Sequence, residues 1–252
     1  MIQDDLGTPL RHRPAEVRRV VSLVPSLTEA VASVDRGVLV GVTDWCTHPA
    51  DLEAPRVRGT KNPDTRAVAA LAPDLVIANK EENRELDVRR LRDAGVDVWV
   101  TDIETVPQAI ASMERLFDEA LGWDRPAWLG EARALWCGQP SPARARVAVP
   151  IWRDPWMVVG RDTFTGDLLT RAGLPNVFAG HAERYPTLDL AVIDGAGADA
   201  VLLPDEPYVF TADDGPEAFT RTPTQLVEGR LITWYGPSLV EAHAMVQGLL
   251  PR

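Results

Sequence analysis

The chain is poor in the features that most quickly give a function away. Its 252 residues hold only two cysteines, three tyrosines and five phenylalanines. Cys46 and Cys137 lie far apart, so two free thiols are expected and not a disulfide framework. No stretch approaches the roughly 18 apolar residues that cross a bilayer, which argues against membrane insertion. The first residues, Met1 to Glu16, lack an apolar signal-peptide core and a cleavage pattern. A cytoplasmic location is therefore expected if Met1 is the native start, and a periplasmic or extracellular, anchored one if a leader preceded it. Glycine-rich nucleotide loops, P-loops, H-E-x-x-H and G-x-S-x-G are all missing, so common nucleotide, phosphate, zinc-protease and serine-hydrolase chemistry has no support, and no catalytic residue is assigned. Positive charge is also scarce. A net charge of −11 and a pI near 4.9 exclude the basic stripe of a nucleic-acid binder.

What is present is one pattern, twice. The strand Val20–Leu23 leads into a helix opened by Ser26-Leu27-Thr28-Glu29, and later into the Pro-Asp strand Pro73-Asp74-Leu75-Val76-Ile77-Ala78. Val147-Ala148-Val149-Pro150-Ile151-Trp152 leads likewise to Ala200-Val201-Leu202-Leu203-Pro204-Asp205. Strands alternating with helices predict an α/β chain with mostly parallel sheets. We expect two Rossmann-like lobes, residues 17–103 and 144–252, joined by a helical segment over 104–138, with a ligand cleft between them. In detail, the spacing predicts strands at Leu39–Val42, Leu75–Ala78, Val98–Val100, Ala145–Trp152, Ala200–Leu203 and Leu231–Trp234. It predicts helices from Asn62 to Leu71, Glu82 to Ala94, Val106 to Leu121, about Ala127 to Leu135, Thr165 to Ala172, Leu188 to Gly195, Gly215 to Arg221 and from Ser238. Ser26 and Glu29 have the spacing of a capping box.

In parallel sheets, ligands bind outside the carboxyl ends of the strands. The loops there are chemically loaded and supply the candidate ligand-binding residues: Trp45, Cys46 and His48; Lys61; Lys80, Glu81 and Glu82; Trp152, Arg153, Asp154 and Trp156; Arg161; Glu206 and Tyr208; Trp234 and Tyr235. An aromatic ring on such a loop is suited to lie against a flat ligand, or alternatively closes the lobe interface. Trp123, Trp128 and Trp136 fall around the connecting helices and read as packing residues. The lysines, arginines and acids could hydrogen-bond amides or carboxylates of a polar ligand. Cys46 and His48 leave several readings open: a zinc site completed by Glu81, Glu82, Asp154 or Glu206, an axial His48 on the metal of a bound macrocycle, a nucleophilic thiol, or a polar loop with a half-buried thiol.

Three segments carry a family likeness: Arg19-Val20-Val21-Ser22-Leu23-Val24-Pro25-Ser26-Leu27-Thr28-Glu29, Leu39-Val40-Gly41-Val42-Thr43, and Leu71-Ala72-Pro73-Asp74-Leu75-Val76. They are followed in the second half by Gly160-Arg161-Asp162-Thr163-Phe164 and Gly173-Leu174-Pro175-Asn176-Val177-Phe178. With them the chain resembles the class III periplasmic-type substrate-binding proteins, or helical-backbone metal receptors, and most nearly their cobalamin-binding branch. The resemblance implies a small-molecule ligand, a cobalamin-like corrinoid or a haem or siderophore chelate, with Trp45 on one lobe and Trp152, Trp156 or Tyr208 on the other. It also implies acids that dock on a transporter permease, but Arg66 and Thr170 stand at those positions, which tells against a permease partner. Two alternatives follow: a cytosolic relative that became an enzyme around Cys46, His48 and Lys80-Glu81-Glu82, or a ligand carrier or sensor without a transporter.

Overall fold

A computed structural model describes residues 2–11 and 16–250. Met1 and residues 12–15, part of the N-terminal stretch read for a leader, lie outside the described residues. The chain divides into two compact units. Unit 1 comprises residues Met1–Ile103, Gln108–Arg133 and Tyr235–Pro237; unit 2 comprises Glu104–Pro107, Ala134–Trp234 and Ser238–Arg252.

Unit 1 is built on β1 (Val20–Ser22), α1 (Pro25–Asp35), β2 (Leu39–Val42), α2 (Thr65–Ala70), β3 (Leu75–Asn79), α3 (Glu85–Asp93) and β4 (Val98–Thr101). The four strands form a parallel sheet in the order β2-β1-β3-β4. All five residues of β3 are buried, as a central strand covered on both faces requires. Val21, Val76, Val98 and Val100 pack with Val68 of α2 and Val88 and Leu91 of α3. Then follow α4 (Val106–Arg115), a π-helical turn (Leu116–Leu121) and α5 (Ala127–Trp136). Gly122 ends the π turn in the left-handed region, φ 67°, a conformation that glycine adopts at little cost. Trp123 and Trp128 pack against Phe117, with ring centroids 6.3 and 6.2 Å away.

Unit 2 holds β5 (Val147–Ala148), β6 (Pro150–Trp152), β7 (Met157–Val158), α6 (Phe164–Arg171), α7 (Leu190–Asp194), β8 (Ala200–Pro204), β9 (Thr224–Val227), α8 (Arg230–Thr233) and α9 (Ser238–Gly248). Its parallel sheet runs β5-β8-β9. Trp136 is buried here, its indole N–H donating to the Leu239 carbonyl at 2.8 Å. The expected α/β class with parallel sheets is therefore the one observed.

Several boundaries differ, each for a local reason. The strand expected at Ala145–Trp152 is broken: Pro150 has no N–H for the ladder, and β6 turns away to pair antiparallel with β7. Leu231–Trp234, expected as a strand, is the short helix α8, and the third strand is Thr224–Val227, whose half-exposed polar residues hid it. No capping box forms at α1, where Pro25 fills the first turn and no side chain caps. The start of α2 is Asp64, whose carboxylate accepts the Ala67 N–H at 3.0 Å. Residues 215–221 contain only a short 3-10 turn, Pro216–Ala218.

The N-terminal segment, with the antiparallel bridge Gln3–Pro9, lies on the β4 edge, where the Asp5 N–H donates to the Val100 carbonyl at 3.1 Å. Asp4 is buried there and accepts from Arg92 Nη2 at 2.7 Å, Thr8 N at 2.8 Å, Leu6 N at 3.0 Å and Val100 N at 3.3 Å. A buried carboxylate is tolerated only with such partners. Asp4→Ala should therefore cost about 3 kcal/mol, because Arg92 and three backbone donors lose their acceptor. Asp4→Asn should cost less than half of that. Urea denaturation checks both, and equal stability of Asp4→Ala and the wild type would refute the anchoring role.

Candidate functional site

In the two parallel sheets the carboxyl ends of the strands share one edge, and the loops there hold many of the expected residues, while Trp152 to Trp156 lie on the antiparallel β6–β7 hairpin. In unit 1, Trp45 follows β2 and is 64% exposed. Gly59 is what lets its indole settle: a Cβ on Gly59 would stand 3.3 Å from Trp45 Nε1 and 2.6 Å from Asn62 Oδ1. Cys46, one residue on, is fully buried, with its thiol 3.0 Å from Thr28 Oγ1 and 3.2 Å from Thr43 Oγ1. Burial pushes the thiol pKa up, against the weaker opposing pull of those hydroxyls and Arg56. An activated nucleophile needs a lowered pKa and access, and the burial of Cys46 favours neither. His48 is half-buried, its Nδ1 3.1 Å from Thr47 Oγ1. Among the described residues no group of three His, Cys, Asp or Glu side chains could hold a metal ion.

The loop after β3 is shaped by two residues that sequence reasoning did not single out. Asn79 is buried, and its Oδ1 accepts the N–H groups of Glu81 at 2.8 Å and Glu82 at 3.1 Å. Asn83, also buried, accepts the Asn79 N–H at 2.8 Å and donates to Thr60 O at 2.9 Å and Leu23 O at 3.3 Å. The signal for them was asparagine at a strand end, repeated four residues later. On this frame Lys80 pairs with Asp102 at 2.7 Å, and the Lys61 ammonium donates to the Glu81 carbonyl. Glu82 accepts from the phenol of Tyr235 at 3.1 Å. Tyr235 is buried, which with the neighbouring Glu82 carboxylate holds its pKa well above the ordinary value.

In unit 2 the aromatics form a ladder. Trp152, 43% exposed, meets Tyr208 edge to face, with centroids 5.6 Å apart. Tyr208 lies 4.7 Å from Phe210, which stacks at 5.8 Å on Trp156. Trp156 is buried in the core, as is Trp234 beside the β8 loop. Arg153 joins Asp214 and Glu217, and Asp154 is exposed. Arg161 pairs with Asp162 at 2.8 Å. Trp45, Lys61, Lys80, Trp152, Asp154 and Arg161 thus offer exposed surface, whereas Cys46, Trp156, Trp234 and Tyr235 are turned into their own units.

Glu206 is largely buried, and that desolvation raises its carboxyl pKa against the opposing bonds from Thr233 and Trp234. The Thr233 hydroxyl lies 2.6 Å from Glu206 Oε1 and 2.9 Å from Gly229 O, yet it carries a single proton. The hydroxyl therefore has one proton to share between the two acceptors, which leaves the buried carboxylate short of donors. With the folded pKa above the unfolded one, the carboxyl contributes stability below its ordinary range and loses it as pH rises through the folded value. Glu206→Gln should therefore raise the denaturation midpoint near pH 7, by an amount that shrinks as the pH falls towards about 4. A pH-independent difference would refute this reading.

No family model matches the chain. It is 27% identical over 192 residues to the vitamin B12-binding protein of Salmonella typhimurium, covering 73% of this chain and 71% of that protein. It is 22% identical over 211 residues to the vitamin B12-binding protein of Vibrio cholerae, covering 80% and 72%. Among solved structures it matches the periplasmic vitamin B12-binding protein of Vibrio cholerae over 92% of this chain and 95% of that one, with TM-score 0.72 and 18% identity. A periplasmic heme-binding protein in complex with two hemes matches with TM-score 0.76 and 23% identity, over 91% and 96%. The Helicobacter pylori CeuE protein with Ni(II) bound matches with TM-score 0.77 and 13% identity, over 98% and 87%. In fold the chain is similar to these periplasmic binding proteins, and in sequence it is distantly similar to the vitamin B12-binding proteins.

Proposed function

We propose that the chain is a substrate-binding protein for a flat metal chelate, a cobalamin-like corrinoid before a haem or siderophore chelate. The observation that carries this reading is the exposure of two indoles at strand carboxyl ends, Trp45 in unit 1 and Trp152 in unit 2. Large aromatic side chains left in water at such positions are costly unless they meet a ligand, and a planar macrocycle offers the matching face. Relatives that bind vitamin B12, heme and Ni(II) support the ligand class. Around the indoles, Lys61, Lys80, Glu81 and Glu82 on one unit and Asp154, Arg161 and Tyr208 on the other supply donors and acceptors for peripheral amides. His48 is the nitrogen donor suited to a cobalt or iron axial position.

A ligand carrier or sensor that works without a permease is the second reading. It is favoured by Arg66 on α2 and Thr170 on α6, both exposed, where the family resemblance implies docking acids.

Titration with aquocobalamin and with haemin tests the proposal by visible absorption and tryptophan fluorescence. One of the two should shift its absorption and quench the indoles. Trp45→Ala should then weaken binding by about 1 kcal/mol, roughly fivefold in Kd, while Trp123→Phe should leave it unchanged. No response to either chelate would overturn the ligand class, and unchanged affinity in Trp45→Ala would remove Trp45 from the site.

A further inference from the structure

Arg153 stands among the residues expected to touch a ligand, but its surroundings assign it other work. Its Nη1 donates to a carboxylate oxygen of Asp214 and, at 2.5 Å, to Glu217 Oε1. Its guanidinium carbon lies 5.5 Å from the centroid of the Trp156 ring, in cation–π range. The other oxygen of Asp214 accepts from the Tyr208 phenol at 2.7 Å. The ring of Tyr208 in turn meets Trp152 at 5.6 Å and 78°, and Trp152 is covalently next to Arg153. The contacts therefore close a circuit: Trp152, Arg153, Asp214, Tyr208 and back to Trp152. It spans two separate segments, the β6–β7 turn and the loop after β8.

We propose that Arg153 is a positioning residue, which by way of Asp214 and Tyr208 holds the exposed Trp152 indole in a preformed orientation for the ligand. The inference rests on the proposed chelate-binding function and adds how its unit 2 surface is set. The guanidinium suits the task because one of its nitrogens, Nη1, bridges the two carboxylates while its planar face lies over Trp156, a combination an ammonium holds with less directional restraint. With donors committed to Asp214 and Glu217 and its face on Trp156, Arg153 is engaged by protein. Trp152, by contrast, projects beyond the ladder with a large free face. A ring already fixed loses less rotational freedom when a ligand lies on it, so fixation appears as affinity without a new ligand contact.

The test begins without ligand. Near-ultraviolet circular dichroism of wild type and Trp152→Phe defines the band due to Trp152 in its asymmetric setting. Arg153→Met should lose most of that band, and so should Asp214→Ala, which cuts the circuit at its next link. The double variant should lose no more than either single one, since residues acting through one another are not additive. Arg153→Lys, which keeps the charge, should restore much of the band. A wild-type band in Arg153→Met, or additive losses in the double variant, would overturn the proposal. Should Arg153→Met fail to fold by far-ultraviolet circular dichroism, Asp214→Ala and Arg153→Lys read the same circuit. Titration with aquocobalamin then separates positioning from contact: Arg153→Met should weaken binding about three- to tenfold, the factor expected when one or two side chains must be ordered on binding. Weakened binding with an unchanged ligand-free band would make Arg153 a ligand contact and sink the positioning role. If the ligand-free bands behave as expected but wild type binds neither aquocobalamin nor haemin, the chelate-binding reading falls and the circuit stands.

Discussion

A parallel sheet sends the carboxyl ends of all its strands to one edge, and the chemistry of this protein depends on that constraint. The strand-end loops must turn sharply, leave a buried strand, and still satisfy the backbone groups that the ladder no longer pairs. In unit 1 the solution after β3 is an asparagine pair. Asn79 takes two N–H groups of the next turn, and Asn83 takes the Asn79 N–H and ties two further loops to it. The charged residues of that loop inherit their positions from these amides.

Unit 2 meets the same demand with carboxylates. Asp214 and Glu217 gather Arg153 and Tyr208, and Asp205 accepts the Gly229 N–H at 2.7 Å. In both units the groups that shape the loops have their bonds met inside the protein, while an indole is left in water. This division between supporting polar groups and an exposed apolar face is the usual organisation of a small-molecule site.

The class of fold was legible in the sequence because buried parallel strands are unbroken apolar runs, as in Leu75–Ala78, and because Gly95 and Gly122 end helical turns as backbone geometry demands. Strand β9 was not legible: Thr224-Gln225-Leu226-Val227 has neither alternation nor an apolar run, and it is a strand only because β8 lies beside it. Neither was the break at Pro150, which needs a partner strand to be visible. For the site, the strand-end positions of Trp45 and Trp152 could be read directly. Burial could not. Trp45 and Cys46 are neighbours in sequence, yet one indole is in water and the next thiol is sealed by two threonines. Trp152 and Trp156 divide in the same way across one hairpin. Which face of a loop turns inward is decided by distant residues such as Thr28 and Phe210, and sequence spacing carries no information about them.

The association of Tyr235–Pro237 with unit 1 has a consequence for biosynthesis. Gly236 approaches the Ser26 carbonyl so closely that a Cβ there would lie 3.0 Å from it, and Tyr235 closes over Glu82. A ribosome delivers these three residues only after nearly all of unit 2 has been made. Until they emerge, the entrance to α1 lacks Gly236 and Glu82 lacks the Tyr235 phenol. Vectorial synthesis, which lets many N-terminal domains finish early, supplies these last contacts of unit 1 only after most of unit 2.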